Sequence, residues 1–280
     1  MPYQTEVSRL TPGLFVFIVD QSGSMDESFQ GAMPKAQFVS DVLNRIINDI
    51  VVRSTKGKND VRDYYHLTLI GYGGPPHAGW GGALAEQLTV PVSQVYASPL
   101  RVETRMKKVP DGAGGLIAEQ EIFPVWLEPQ ANGGTPMCAA LTLALAHLTI
   151  WVAEHPHAYP PIVFHVTDGR STDGDPAAIG AAIRDLATDD GHVILATVHI
   201  SGHSAYPVQY PLYEDPLAGL DEHARLLRDM SSPLIASWVA PLAERTGRDL
   251  TTENACFLYN AGPEDLVWLL EIGTRQEHLR

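Results

Sequence analysis

Five side chains with oxygen donors stand where predicted strands end or where a predicted helix begins. They are Asp20, Ser22, Ser24, Thr135 and Asp168. In a doubly wound α/β sheet, ligands bind at the carboxyl ends of the strands, near the point where the strand order reverses. Oxygen-only donors favour Mg²⁺, Mn²⁺ or Ca²⁺ over zinc. Taken alone, Asp20 or Asp168 would be interpreted as a residue that only caps a loop. Together, the five side chains predict a site for a small divalent cation.

Alternating strand and helix patterns position these residues. Short apolar, β-branched runs are typical of strands buried on both faces of a parallel sheet, and apolar residues at helical spacing lie between them. The predicted strands are residues 14–19, 66–72, 161–167, 192–200 and 256–259, and the predicted helices are residues 34–52, 136–154, 175–188, 232–245 and 266–272. The order predicts an α/β fold with a doubly wound, Rossmann-like and mostly parallel sheet flanked by helices.

Two segments break this alternation. Residues 73–130 are far longer than a usual connection, and within them two strand-like runs flank the sequence PDGAGG, which predicts an inserted β-hairpin. Residues 201–216 are rich in Pro, Tyr and Gly. Both segments begin where a predicted strand ends, so we expect them to elaborate the metal-binding face of one domain that spans residues 1–280.

The five oxygen donors carry a family resemblance. The sequence DxSxS at Asp20, the Thr135 of GGTP and the Asp168 of TDG resemble the metal-ion-dependent adhesion site of von Willebrand factor A domains. The resemblance implies that Ser22 and Ser24 bind Mg²⁺ directly, that Thr135 binds directly or through water, and that the two aspartates hold coordinated waters. It further implies a protein partner that supplies a Glu or Asp to the metal. The residues expected to line that partner surface are Gly23, Met25, Gly134 and Arg170.

Within that family, the chain is most similar to cytoplasmic bacterial proteins of the tellurite-resistance-associated type. The similarity rests on YGG after the second strand, PLRVETRMKKVPDGAGG, FPVWLEP before GGTPM, and HVTDGRSTDGDP. Such proteins tend to be encoded beside a Ser/Thr kinase and a metal-dependent protein phosphatase. The implied role is a non-catalytic scaffold or regulator in a signalling, stress or conflict system.

A catalytic role is the alternative. The bound ion would then act as a Lewis acid in phosphoester hydrolysis, with His77 or His203 within reach as a base. A haloacid-dehalogenase phosphatase requires a second Asp where this chain has Ser22, and no P-loop sequence is present. The histidines lack zinc-site spacing, and His165 is expected to be a core residue. Lys107 and Lys108 are expected on a solvated hairpin face.

Composition limits the partners. The 280 residues include 33 Asp and Glu against 19 Lys and Arg, which gives a formal net charge of −14. Such a chain repels phosphate backbones and anionic membrane surfaces, so neither nucleic acid nor membrane is expected as a partner. Two cysteines and no apparent signal peptide indicate a cytoplasmic protein. The uncharged stretch at residues 137–153 is expected to be a core helix.

Overall fold

The structure of the chain is a computed structural model that describes residues 2–29, 31, 33–57, 60–110, 115–200, 207–217 and 222–274. The predicted hairpin turn at 111–114 and residues 201–206, with His203, lie outside the described residues, as do the side chains of Lys107 and Lys108.

The strands and helices alternate along most of the chain. The strands are β1 (Gly13–Asp20), β2 (Tyr65–Tyr72), β3 (His77–Ala78), β4 (Thr89–Pro91), β5 (Arg101–Pro110), β6 (Leu116–Val125), β7 (Ile162–Thr167), β8 (Ile194–Ile200), β9 (Val208–Gln209) and β10 (Phe257–Ala261). The helices are α1 (Lys35–Arg53), α2 (Val92–Ala97), α3 (Met137–Glu154), α4 (Ala177–Asp185), α5 (Glu222–Met230), α6 (Ala236–Thr246) and α7 (Pro263–Thr274). The described residues also form three two-residue ladders and two 3₁₀ turns, Gly23–Asp26 and Gly82–Leu84.

A single large sheet has the strand order β9-β10-β8-β7-β1-β2-β3, and β4 also pairs with β2. The five inner strands, from β10 to β2, are parallel, whereas β9, β3 and β4 run antiparallel to their neighbours. The predicted α/β class with a mostly parallel sheet is therefore confirmed. In this register Asp20 pairs with Tyr72, so the strands that flank β1 end beside Asp20.

Helices cover both faces of the sheet because alternate strand residues point to opposite sides. Phe15, Phe17 and Val19 face a core shared with α1, α2, α6 and α7, whereas Val16 and Ile18 face a core shared with α3, α4 and α5. The helix α3 is long and apolar enough to span a membrane by length and composition alone. One side of α3 is buried on the sheet while Ile150 on another side is exposed, so the expected core helix is buried on one face only.

The segment at 73–130 contributes to the core as well as to the surface. Its strands β3 and β4 extend the sheet beside β2, and Trp80 and Val90 are buried. The predicted hairpin is present as β5 and β6, and it forms a two-stranded sheet of its own. The side chain of Asn44 on α1 accepts hydrogen bonds from the backbone N–H of Trp126 at 2.7 Å and of Leu127 at 3.2 Å, which fixes the end of the hairpin to α1.

The observed secondary structure differs from the predicted one in several places. Helices α2 and α5 were not expected. The helix expected at 232–245 begins at Ala236, because Ser232 instead donates its N–H to the carbonyl of Leu195. The strand expected at 192–200 begins at Ile194, because Gly191–His192 pairs in a small ladder with Ala187–Thr188.

Candidate metal centre

The carboxylate of Asp20 lies at the end of β1, and its residue is fully buried. Oδ1 accepts a hydrogen bond from the backbone N–H of Ser22 at 2.8 Å, and Oδ2 accepts one from the hydroxyl of Thr167 at 2.8 Å. Both donors are neutral. Burial raises the pKa of Asp20 from 3.8 to about 6 despite these hydrogen bonds. A buried carboxylate in such surroundings is stabilised by a nearby cation.

A second carboxylate, Asp168, follows β7 directly, and its side chain is fully buried. The hydroxyl of Ser24 donates to Asp168 Oδ1 at 2.7 Å, and the Oγ atoms of Ser22 and Ser24 lie 3.1 Å apart. The loop after β1 and the end of β7 therefore form one cluster of oxygen atoms.

Thr135 precedes α3 and lies beside the loop that carries Asp168. Its N–H donates to Thr172 Oγ1 at 3.1 Å, and its carbonyl accepts from the N–H of Thr172 at 2.9 Å. Thr135 is buried, and a Cβ atom on Gly169 would lie 3.6 Å from Thr135 Oγ1. All five predicted side chains are thus located at the carboxyl edge of β1 and β7.

Backbone contacts that only glycine allows hold the loops of this edge together. Gly73, directly after β2, has no room for a side chain, because a Cβ atom there would lie 2.3 Å from the carbonyl oxygen of Asn132 and 2.5 Å from that of Gln21. Gly133 has a φ of +83°, and its Cβ would lie 1.9 Å from the carbonyl oxygen of Gly73. The N–H of Gly23 donates to the carbonyl of Gly133 at 3.1 Å. The loops after β1, after β2 and before α3 are therefore locked against one another.

One basic residue belongs to the site although the sequence analysis did not identify it. Lys35, the first residue of α1, donates from Nζ to Asp168 Oδ2 at 2.8 Å, to Glu27 Oε2 at 2.8 Å and to the carbonyl of Ser24 at 3.4 Å. Burial lowers the pKa of Lys35, but the hydrogen bonds to Asp168 and Glu27 outweigh it and raise the pKa overall. A lysine in the first turn of a helix is disfavoured by the helix dipole. This unfavourable placement is the feature of the sequence that could have identified Lys35 as a site residue.

The residues fit a small, hard cation. Their donors are three hydroxyls and two carboxylates, which are oxygen ligands of the kind that Mg²⁺ and Mn²⁺ take in proteins. Within the described part of the chain, no group of three or more His, Cys, Asp and Glu side chains could hold a metal ion. The carboxylates of Asp20 and Asp168 would supply the negative charge, and the hydroxyls of Ser22, Ser24 and Thr135 the neutral donors.

The expected partner surface is only partly where the sequence analysis placed it. Gly23, Gly134 and Arg170 are exposed. Met25 is fully buried, because the 3₁₀ turn Gly23–Asp26 directs its side chain into the core shared with α1. The expectation that Met25 lines the surface was therefore wrong.

Two histidines named in the sequence analysis have clear positions. His165 is fully buried and shares a 2.8 Å hydrogen bond between its Nε2 and the hydroxyl of Tyr72, as expected for a core histidine. Burial lowers the pKa of His165 to about 3, so it stays neutral near pH 7. His77 is exposed, and its Nδ1 lies 3.3 Å from the carbonyl oxygen of Pro75.

Comparisons with known proteins give structural similarity only. No protein-family model matches the chain, and no curated protein matches it. Among solved structures, it is similar to the manganese-loaded TRAP protein of Plasmodium vivax, with 17% identity and a TM-score of 0.34 over 69% of this chain and 58% of that one. It is also similar to the PilB minor pilin of Streptococcus sanguinis, with 13% identity and a TM-score of 0.33 over 57% of this chain and 30% of that one. The pilus adhesin RrgA of Streptococcus pneumoniae has 16% identity and a TM-score of 0.32 over 60% of this chain and 21% of that one.

Each match spans less than two thirds of the solved chain. The fold and the site geometry themselves define a doubly wound α/β protein with a buried cluster of hydroxyl and carboxylate oxygens at the carboxyl ends of its strands.

Proposed function

We propose that this chain is a von Willebrand factor A-type interaction domain that binds one Mg²⁺ ion through Asp20, Ser22, Ser24, Thr135 and Asp168. The observation that carries the proposal is the meeting of these side chains at one edge of the parallel sheet. The buried charge of Asp20, whose contacts are neutral donors, is a second reason to expect a cation there. Mn²⁺ or Ca²⁺ would fit the same donors.

The proposed role is recruitment of a protein rather than catalysis. A Mg²⁺ ion held mainly by hydroxyls and water stays electrophilic and attracts an anionic oxygen from outside. We propose that a Glu or Asp of a partner supplies that oxygen, and that exposed Gly23, Gly134 and Arg170 surround it. The chain would act as a cytoplasmic scaffold or regulator in a bacterial signalling, stress or conflict system, with a Ser/Thr kinase or protein phosphatase as candidate partner.

The net charge of −14 restricts which partners can approach. A wholly acidic protein would be repelled at long range, so the proposed partner has a local acidic residue on a neutral or basic face. Its association with this chain should slow as salt rises, because salt screens the attraction. Faster association with added salt would contradict this view of the partner.

The experiment that tests the proposed function is affinity capture from native lysate in Mg²⁺ and in EDTA. We expect partners that are lost in EDTA and equally lost with Asp20→Ala, while Asp249→Ala, at an exposed aspartate outside the site, retains them. Partners that ignore both EDTA and Asp20→Ala would contradict a metal-bridged interaction. Turnover of phospho-substrates with Mg²⁺ or Mn²⁺ that disappears in Asp20→Ala would instead favour an enzyme.

A further inference from the structure

Lys35 places a positive charge inside the candidate metal centre. The exposed fraction of its side chain is only 4%. Its ammonium donates to three different parts of the site: to Glu27 just after the 3₁₀ turn and to Asp168 at the end of β7, both at 2.8 Å, and to the carbonyl of Ser24 in the loop after β1 at 3.4 Å. The three N–H donors of an ammonium group match three such acceptors.

A buried ammonium group at this position destabilises the folded protein unless a nearby negative charge neutralises it. Lys35 is the first residue of α1, and the positive end of the helix dipole disfavours a cation there. Burial away from water adds to the cost. Asp168 offsets both effects, because its side chain is fully buried and lies 2.8 Å from the ammonium. The ion pair therefore belongs to the centre of the site rather than to a solvated surface.

Asp168 is shared between the lysine and the oxygen cluster. Its Oδ2 accepts a hydrogen bond from the ammonium of Lys35, and its Oδ1 accepts one from the hydroxyl of Ser24. A divalent ion near Ser24 and Asp168 would thus meet a carboxylate whose charge is already partly neutralised, and it would be repelled by a fixed positive charge. Like charges within one buried site repel strongly, because the dielectric there is lower than in water.

We propose that Lys35 is an internal cation that holds the loops together without metal and lowers the affinity of the site for divalent ions. This inference rests on the proposed function, since it assumes that Asp168 and Ser24 belong to a metal site. Lys35 is a positioning and affinity-determining residue. It binds no partner, because its side chain is buried. Its effect is to make occupancy of the site respond to the concentration of free Mg²⁺ instead of being permanent.

A purely structural lysine makes a different prediction. If Lys35 only anchored Asp168, its removal would loosen the oxygen cluster and weaken metal binding along with stability. If it also competes with the metal, its removal weakens the metal-free protein but strengthens metal binding. The two roles therefore differ in the sign of the change in affinity.

The test compares the wild type with Lys35→Met, which keeps the length of the side chain without its charge. The dissociation constants of Mn²⁺ and Mg²⁺ are measured by isothermal titration calorimetry, and the melting temperature is measured in EDTA. We expect Lys35→Met to melt at a lower temperature in EDTA and to bind Mn²⁺ about tenfold or more tightly. Lys56→Met, at an exposed lysine in the two-residue strand Thr55–Lys56 after α1, is the matched control for metal affinity and should leave the Mn²⁺ dissociation constant unchanged.

Lys35→Gln is a second variant, to be used if Lys35→Met does not fold. Its amide can still donate a hydrogen bond to Asp168, and we expect it to bind Mn²⁺ more tightly than the wild type does. Unchanged or weaker Mn²⁺ binding in the folded variant, with normal binding in the wild type, would overturn the inference and leave the proposed metal site intact. Binding by the variant alone would support competition between Lys35 and the metal, but it would overturn the proposed function of the wild-type chain. Absence of binding in both proteins would overturn the inference and the proposed function together.

Discussion

Replacement of Asp20 by asparagine should stabilise the metal-free protein. Asp20 is fully buried, and burial raises its pKa from 3.8 to about 6. The folded protein therefore holds this proton more tightly than the unfolded chain does, and the free energy of unfolding falls as pH rises from about 4 to about 6. Each pKa unit corresponds to about 1.36 kcal/mol, so the loss is about 3 kcal/mol above pH 6. Asparagine carries no charge and avoids this loss.

The expected difference between Asp20→Asn and the wild type depends on pH in a defined way. In EDTA at pH 8, the variant should be more stable by up to about 3 kcal/mol, and at pH 4.5 by only about 1 kcal/mol. The hydrogen bonds can persist, because the asparagine carbonyl can accept from Ser22 and the Thr167 hydroxyl can accept from the amide. Urea unfolding in EDTA at both pH values measures the difference.

Addition of Mg²⁺ should reverse the order of stability at pH 8. A ligand that binds only the folded state at about 1,000 times its Kd adds about 4.1 kcal/mol, which exceeds the advantage of about 3 kcal/mol that the variant has without metal, and the variant should lose this gain. Asp249→Asn, at an exposed position, should stay within about 0.5 kcal/mol of the wild type. An Asp20→Asn variant that is less stable at pH 8 in EDTA, or equally more stable at both pH values, would refute the reasoning about the buried charge.

Three further substitutions test the surroundings of the site. Gly73→Ala would place a methyl group 2.3 Å from a carbonyl oxygen of a neighbouring loop. We therefore expect calorimetry to show metal affinity reduced about tenfold or more. Gly74→Ala should bind metal normally, because the added methyl group would have no atom within 4 Å. Tyr72→Phe removes the partner of His165 Nε2 and should lower the free energy of unfolding in urea by about 1–3 kcal/mol; no change would mean that this buried hydrogen bond is not needed. Asn44→Ala should cost about 1–3 kcal/mol in the same assay by leaving backbone groups of the hairpin's end unpaired, and a loss below about 0.5 kcal/mol would contradict the anchoring of the hairpin to α1.

The sheet could be predicted from the sequence because its inner strands are continuous apolar runs. The run at 14–19 became Gly13–Asp20, and the run at 161–167 became Ile162–Thr167. Helix α5 was missed because it is short and rich in charged residues, and it is stabilised by burial of residues such as Leu227 and Met230 against neighbouring elements. Local patterns do not carry that information.

The site could be predicted in outline because parallel strands end at the same edge. Its finer structure depends on contacts between residues that are distant in sequence. Lys35 and Asp168 are separated by 133 positions, and no spacing rule connects them. The close approach of Gly73 to Asn132 is likewise set by how three loops pack. Met25 follows the DxSxS sequence directly, yet the direction of one 3₁₀ turn decides that it is buried.

The hydroxyls and carboxylates at the ends of β1 and β7 are proposed to bind one divalent ion. Electron paramagnetic resonance of free Mn²⁺ during titration of the protein tests it directly. We expect one Mn²⁺ site per chain that Mg²⁺ displaces and that is absent when Ser22 and Ser24 are both replaced by alanine. No Mn²⁺ binding by the wild type, or the same binding by that double variant, would contradict it.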